Sequence, residues 1–180
     1  MDKIDPRRSA LVLVDYQARL LPAIHEGARA TTNAVKLADV ARELSIPVVG
    51  TEENPQGLGP NVEEVRSRCE HTVSKTTFDA CPDGLLEWLR GGSRDVADVV
   101  IAGCEAHVCL MQTALGLLRA GYRTSVVVDA CGSRFPADKE LAMQRLQKAG
   151  ATLVSAEMVA FEWLETCKHE RFKQVLQRLK

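Results

Sequence analysis

Short, largely β-branched apolar runs alternate along this chain with longer segments of helical period, and that alternation constrains the fold more than any other feature. It is the pattern of βαβ units laid on a mostly parallel sheet. The clearest run, Ala10-Leu11-Val12-Leu13-Val14, is apolar throughout and stops at Asp15. A strand of that kind is covered on both faces, which places it centrally in a parallel sheet. Further strands are expected at residues 46–49, 71–75, 98–102, 124–128 and 152–154, and helices at about 28–44, 82–90, 107–120, 137–149 and 156–164. Gly91-Gly92, Gly121 and Gly150 supply the stops. Residues 51–60, with Asn54-Pro55 and two glycines, read as a surface loop near the carboxyl ends of the strands. The predicted fold is therefore a three-layer α/β/α, Rossmann-like domain with a mostly parallel sheet of about six strands, occupying residues 1–180 as one unit.

Length and composition agree with that architecture and exclude several functions. A chain of 180 residues suits one core that buries about 70% of the unfolded chain's surface. With 46% hydrophobic and 26% charged residues it is too apolar for disorder. A formal net charge of -1 carries no basic footprint, so nucleic acid is not an expected partner. The apolar run near the N-terminus is too short to span a membrane or to serve as a signal peptide, which predicts a cytoplasmic protein with no membrane partner. Six cysteines, at 69, 81, 104, 109, 131 and 167, read as reduced thiols in a chain with a core of its own. A zinc site on Cys69, His71 and Cys81 would lack the paired spacing such sites show, so no structural zinc is expected.

In open parallel sheets, ligands bind beyond the carboxyl ends of the strands where strand order reverses. Two polar groups fall there. Asp15 closes the first strand, and Cys109 lies in the first turn of the helix after the strand ending at Gly103. A helix N-terminus favours a thiolate and can lower a cysteine from about 8.5 to roughly 3.5–7.5, which would make Cys109 a nucleophile. Position alone leaves open that Cys109 is merely a small buried hydrophobe. A dyad with His107 is disfavoured, because residues two apart on a helix face different ways. His25, His71 and His169 fall in peripheral segments. Asp15 is then the nearest proton acceptor, and a carboxylate at the end of an apolar strand needs a partner, which a lysine would supply.

Three ordered stretches carry a resemblance that covers nearly the whole chain: Leu11-Val12-Leu13-Val14-Asp15-Tyr16-Gln17, Val73-Ser74-Lys75-Thr76-Thr77-Phe78, and Gly103-Cys104-Glu105-Ala106-His107-Val108-Cys109. Residues 126–134 add a fourth. Together they resemble the isochorismatase-like cysteine hydrolase superfamily, which includes nicotinamidases, N-carbamoylsarcosine amidase and isochorismatases. Residues 51–59 and 105–109 are most similar to isochorismatase-domain proteins of unassigned substrate. The resemblance implies Cys109 as nucleophile, Asp15 as general base and acid, and Lys75 as the cation that holds them. Read without it, Lys75 would be a solvated lysine. It further implies a cis peptide between Glu105 and Ala106, with the N–H groups of Ala106 and Cys109 forming an oxyanion hole.

Departures from the family pattern carry information as well. Nicotinamidases hold a metal with an aspartate and histidines, whereas the matching loop here reads Thr51-Glu52-Glu53-Asn54. No metal or other cofactor is therefore expected. The usual threonine of the cis-peptide motif is Ala106 here. Gln17, Glu52, Phe78, Glu105 and His107 are the expected substrate contacts. The expected reaction is hydrolysis of a small-molecule amide through a Cys109 thioester. Alternatives are hydrolysis of a vinyl ether such as isochorismate, a non-catalytic oligomeric binding protein on the same fold, and thiol redox chemistry with Cys104 as resolving partner. Family members commonly assemble, so a homo-oligomer is expected, with Phe172, Val175, Leu176 and Leu179 forming one apolar helical face that is either core or subunit contact.

Overall fold

The computed structural model describes residues 3–92 and 94–180. Six strands form one sheet in which every pairing is parallel: β1 (Ser9–Val14), β2 (Val48–Glu53), β3 (His71–Lys75), β4 (Asp98–Gly103), β5 (Arg123–Val127) and β6 (Thr152–Val154). Their order is β3-β2-β1-β4-β5-β6. From β1 the chain builds outward through β2 to β3, then crosses back to lay β4, β5 and β6 on the other side. Strand order thus reverses between β1 and β4, and in open parallel sheets ligands bind beyond the carboxyl ends at such a point.

Every residue of β1 is buried, as its unbroken apolar run predicts. Fully burying each Val or Leu side chain is worth about 1.5–3 kcal/mol, so slipping this strand out of the sheet is costly. The helices are α1 (Gly27–Glu43), the single-turn α2 (Pro55–Leu58) and α3 (Glu63–Arg66), α4 (Leu86–Gly91), α5 (Met111–Arg119), α6 (Pro136–Lys148), α7 (Ala156–Leu164) and α8 (Phe172–Leu179). Right-handed crossovers put α1 on one face and α4, α5 and α6 on the other. α1 packs against α3, α7 and α8, while α5 packs against α6. The three-layer α/β/α expectation holds.

Three differences from the expected elements matter for the site. First, β2 starts later than expected and runs through Thr51, Glu52 and Glu53, residues expected in a surface loop. Pairing on both sides, to Val14 through Thr51 and to Lys75 through Glu53, keeps these polar residues in the sheet. Second, α5 begins at Met111, because residues Ala106–Leu110 form a wider, π-type turn in which the Leu110 N–H reaches the Glu105 carbonyl at 3.3 Å. Third, α8 spends its apolar face internally: Val175 is buried, and Phe172 and Leu179 pack on the core. Leu176, the fourth residue of that face, is half-buried and outside the core cluster. All six cysteines are free thiols. Among the described residues no helix is long and apolar enough to cross a membrane.

Candidate active site

At the carboxyl end of β1 the backbone turns sharply: Asp15 has φ 53°, a left-handed conformation that aspartate tolerates better than most residues. Its N–H donates to the Thr51 carbonyl at 3.2 Å. Beside it, Gly103 ends β4 with φ 153°, and a Cβ there would sit 2.3 Å from the Val14 carbonyl oxygen. Only glycine lets the two strands approach so closely at the reversal point. The parallel registers Val14↔Thr51, Val14↔Gly103 and Glu53↔Lys75 bring the ends of β1 through β4 to one place.

A buried ionic cluster occupies that place. Asp15 Oδ1 accepts the Thr51 hydroxyl at 2.6 Å, and Oδ2 accepts Lys75 Nζ at 2.9 Å. The same Nζ donates to Glu53 Oε2 at 2.8 Å. The Asp15 and Lys75 side chains are both 0% exposed, and that of Glu53 is 11%. Burial opposes the charge on Lys75, but Asp15, Cys109 and the hydrogen bonds to Glu53 and Asp15 outweigh it, so its pKa is raised. Such a pair tolerates the loss of neither partner, because the survivor is left as an uncompensated buried charge.

Cys109 projects from the Ala106–Leu110 turn into the same cluster. Its sulfur, an Asp15 oxygen and a Glu53 oxygen all lie within 4.8 Å of one another. The thiol is pushed well above the ordinary cysteine range. Burial is the largest cause and the Asp15 carboxylate the next; Lys75 pulls the other way and Glu53 adds to the rise. This corrects the expectation of a thiolate favoured by a helix N-terminus. The surrounding turn is π-type, and a fixed carboxylate beside a buried sulfur outweighs the partial charge of a helix end. The surroundings of Cys109 therefore favour the thiol over the thiolate, with an Asp15 oxygen within 4.8 Å of its sulfur.

Two backbone expectations are also corrected. The cis peptide lies between Cys104 and Glu105, not between Glu105 and Ala106. Cys104 still continues the sheet, its N–H donating to the Val14 carbonyl at 2.9 Å. The Ala106 N–H is not free for an oxyanion, because it donates to the Gly132 carbonyl at 2.7 Å. Among the described residues, the N–H groups of His107 and Cys109 donate to no acceptor outside their own turn.

The expected substrate contacts separate into different places. Gln17 is fully buried and spent on backbone: Nε2 donates to the Glu53 and Gly59 carbonyls at 2.9 and 2.6 Å, and Oε1 accepts the Glu53 N–H at 2.9 Å. It is a clamp on the end of β2, not a substrate contact. Glu52 points to the opposite face of β2, where Oε1 accepts the Asn61 N–H at 2.9 Å and lies 3.9 Å from Arg66 Nε. Glu105 Oε2 holds both the backbone N–H and the Nε of Arg134 at 3.0 Å. His107 meets the Ser133 hydroxyl at 3.0 Å through Nδ1 and Asp138 at 3.8 Å through Nε2. Phe78 is half exposed just beyond β3.

Sequence reasoning missed Thr51 and Glu53. Strand alternation could have shown that these two share a face that Glu52 does not, but only once the strand was extended past Gly50. The pairing of Glu53 with Lys75 is a matter of register between β2 and β3, on which no local pattern bears. Asp15, Glu53 and Cys109 are spaced closely enough to hold a metal ion. Lys75 already bonds both carboxylates and supplies the positive charge at that point.

Comparison with known proteins gives a consistent result. The family model of the Isochorismatase domain matches residues 9–158. Isochorismatase domain-containing protein 2A of Mus musculus is 35% identical over 180 residues, covering 100% of this chain and 86% of that protein. Among solved structures, the MAR1 ribonuclease of Caenorhabditis elegans superposes with a TM-score of 0.92 at 33% identity, over 99% of this chain and 92% of the other. YcaC from Pseudomonas aeruginosa, solved with hexane-2,5-diol and covalent acrylamide, superposes with a TM-score of 0.89 at 25% identity, over 98% and 91%.

Proposed function

The chain belongs to the isochorismatase domain family, and on that premise we propose that it is a cysteine-dependent hydrolase of a small-molecule amide or related C–N bond. The observation that carries this reading is a single cluster: a buried Asp15–Lys75 ion pair with the Cys109 sulfur within 4.8 Å of the carboxylate. Asp15 takes the thiol proton as sulfur attacks the carbonyl carbon, so the thiolate forms only as it is used. The tetrahedral oxyanion is met by the N–H groups of Cys109 and His107, which donate to no acceptor outside their own turn, whereas that of Ala106 is taken by Gly132. Collapse expels the amine, which leaves with the proton from Asp15, and a thioester remains on Cys109. Asp15 then deprotonates a water that attacks the thioester, and the acid departs as the sulfur recovers its proton. Lys75 holds Asp15 in place through its 2.9 Å bond and lowers the cost of negative charge on sulfur.

Support also comes from YcaC, where covalent acrylamide accords with a reactive nucleophile on this fold. The ribonuclease name of the Caenorhabditis elegans relative finds less support, because a net charge of -1 and a sulfur in a residue only 6% exposed suit a small molecule better than a phosphate polymer. The test is a screen of small amides and carbamoyl compounds read by ammonia release, followed by mass analysis of acid-quenched enzyme. An acyl mass on the Cys109 peptide is expected, and Cys109→Ala should lower turnover by more than about 10³-fold. Full activity in that variant overturns the scheme.

A further inference from the structure

We infer that Glu53 sets the specificity of this site, selecting small neutral or cationic substrates with an N–H donor on or beside the scissile carbon and turning away anionic ones. The inference rests on the hydrolase reading above. Of the four clustered side chains, Asp15 and Lys75 are closed off at 0% exposure, and only Glu53, at 11%, and Cys109 reach the surface. Anything that arrives at the sulfur therefore meets the Glu53 carboxylate on the way.

The geometry then decides what can bind. Glu53 Oε2 is spent on Lys75, while Oε1 accepts no hydrogen bond among the described residues. A Glu53 oxygen lies within 4.8 Å of the Cys109 sulfur. A carbon at attack distance, about 3–3.5 Å from sulfur, carries its substituents into hydrogen-bonding reach of that oxygen. A carboxylate only accepts, so it rewards a donor such as an N–H there and is left unpaired by a group with no hydrogen to give. Charge acts in the same direction. Two carboxylates share one ammonium, so with Cys109 as thiol these four groups carry one negative charge in excess, and a carboxylate on the substrate would add a second. Primary amides, ureas and amidines fit, whereas an anionic vinyl ether such as isochorismate does not. Gln17 makes the selection sharp, because both backbone polar groups of Glu53 are bonded to its amide, fixing where the carboxylate sits.

The experiment compares alkylation of Cys109 by neutral iodoacetamide and anionic iodoacetate, read by peptide mass spectrometry and normalised to the same pair of rates for N-acetylcysteine. In each reaction the Cys109 sulfur bonds to carbon, iodide leaves and the thiol proton passes to Asp15. The intact protein should prefer iodoacetamide by about tenfold or more beyond the small thiol. Glu53→Gln, nearly isosteric, should bring the preference within about threefold by accelerating iodoacetate, while Glu53→Asp should retain it. The inference is overturned by an intact protein without preference, or by equal preference in Glu53→Gln. If Glu53→Gln changes nothing while iodoacetamide labels Cys109 and the acyl intermediate forms, the hydrolase reading survives and this one falls. If neither reagent modifies Cys109, both fall.

Discussion

The two ends of β1 carry the same kinds of charged group and put them to opposite use. Near the amino end, Asp5 pairs with Arg7 at 2.9 Å, with side chains 23% and 77% exposed, and Arg8 reaches Asp95 at 3.0 Å with side chains 49% and 88% exposed. At the carboxyl end, Asp15 pairs with Lys75 at 2.9 Å with no exposure at all. Distances barely differ, but solvent screens the first pairs and leaves them little net worth, whereas the buried pair is a commitment. A buried ion pair is a poor way to stabilise a fold. Its place where strand order reverses, beside a thiol, is what the proposed hydrolysis would use, and stability has to come from the apolar strands below it.

The comparison breaks most readily at Lys75. Lys75→Met should cost about 3–5 kcal/mol by urea unfolding, because Asp15 is left buried without its cation; a loss below about 1 kcal/mol would put this pair in the same class as the exposed ones. Gln17→Ala, read by the same measurement, should cost about 1–3 kcal/mol for each backbone group it orphans at Glu53 and Gly59. It should also weaken the discrimination between alkylating reagents, which purely structural damage elsewhere in the sheet would not do.

Alkaline pH offers a smaller effect of defined sign. Burial raises the thiols of Cys69 and Cys131 from 9.0 to about 12, and raises Cys81, Cys104 and Cys109 further. Groups with raised folded-state pKa values contribute stability that is complete below the unfolded value and lost as pH rises toward the folded one. Thermal midpoints should therefore decline from about pH 8.5 upward, and less steeply in Cys131→Ala. A midpoint that is flat to pH 11 would contradict the buried-thiol account. The smallest effect belongs to the amino end: Arg7→Ala should leave the urea midpoint where it is, since its pair with Asp5 is open to solvent.

Much of the molecule was readable beforehand because its signals are local. An unbroken apolar run such as residues 10–14 can persist only between two covering layers, and glycines at helix ends mark where the chain turns back. Asp15 and Cys109 were legible for the same reason, as polar groups at the ends of elements whose ends point to one side of the sheet. Lys75 needed the family resemblance, since an isolated lysine after a short strand looks like any solvated one. Thr51 and Glu53 were misplaced because polar residues before Asn54-Pro55 look like loop, and Gln17 and Glu52 were credited with contacts that backbone groups had already taken.

Local pattern, then, sufficed for the layers and the parallel sheet, because periodicity and burial are properties of neighbouring residues. Register, side-chain facing and charge environment were settled only by the assembled fold. Glu53 meets Lys75 across 22 residues, and Asp15 holds up the thiol of Cys109 from another strand's end. Electrostatics acts through space and through burial, and neither distance in space nor depth is written in the order of residues.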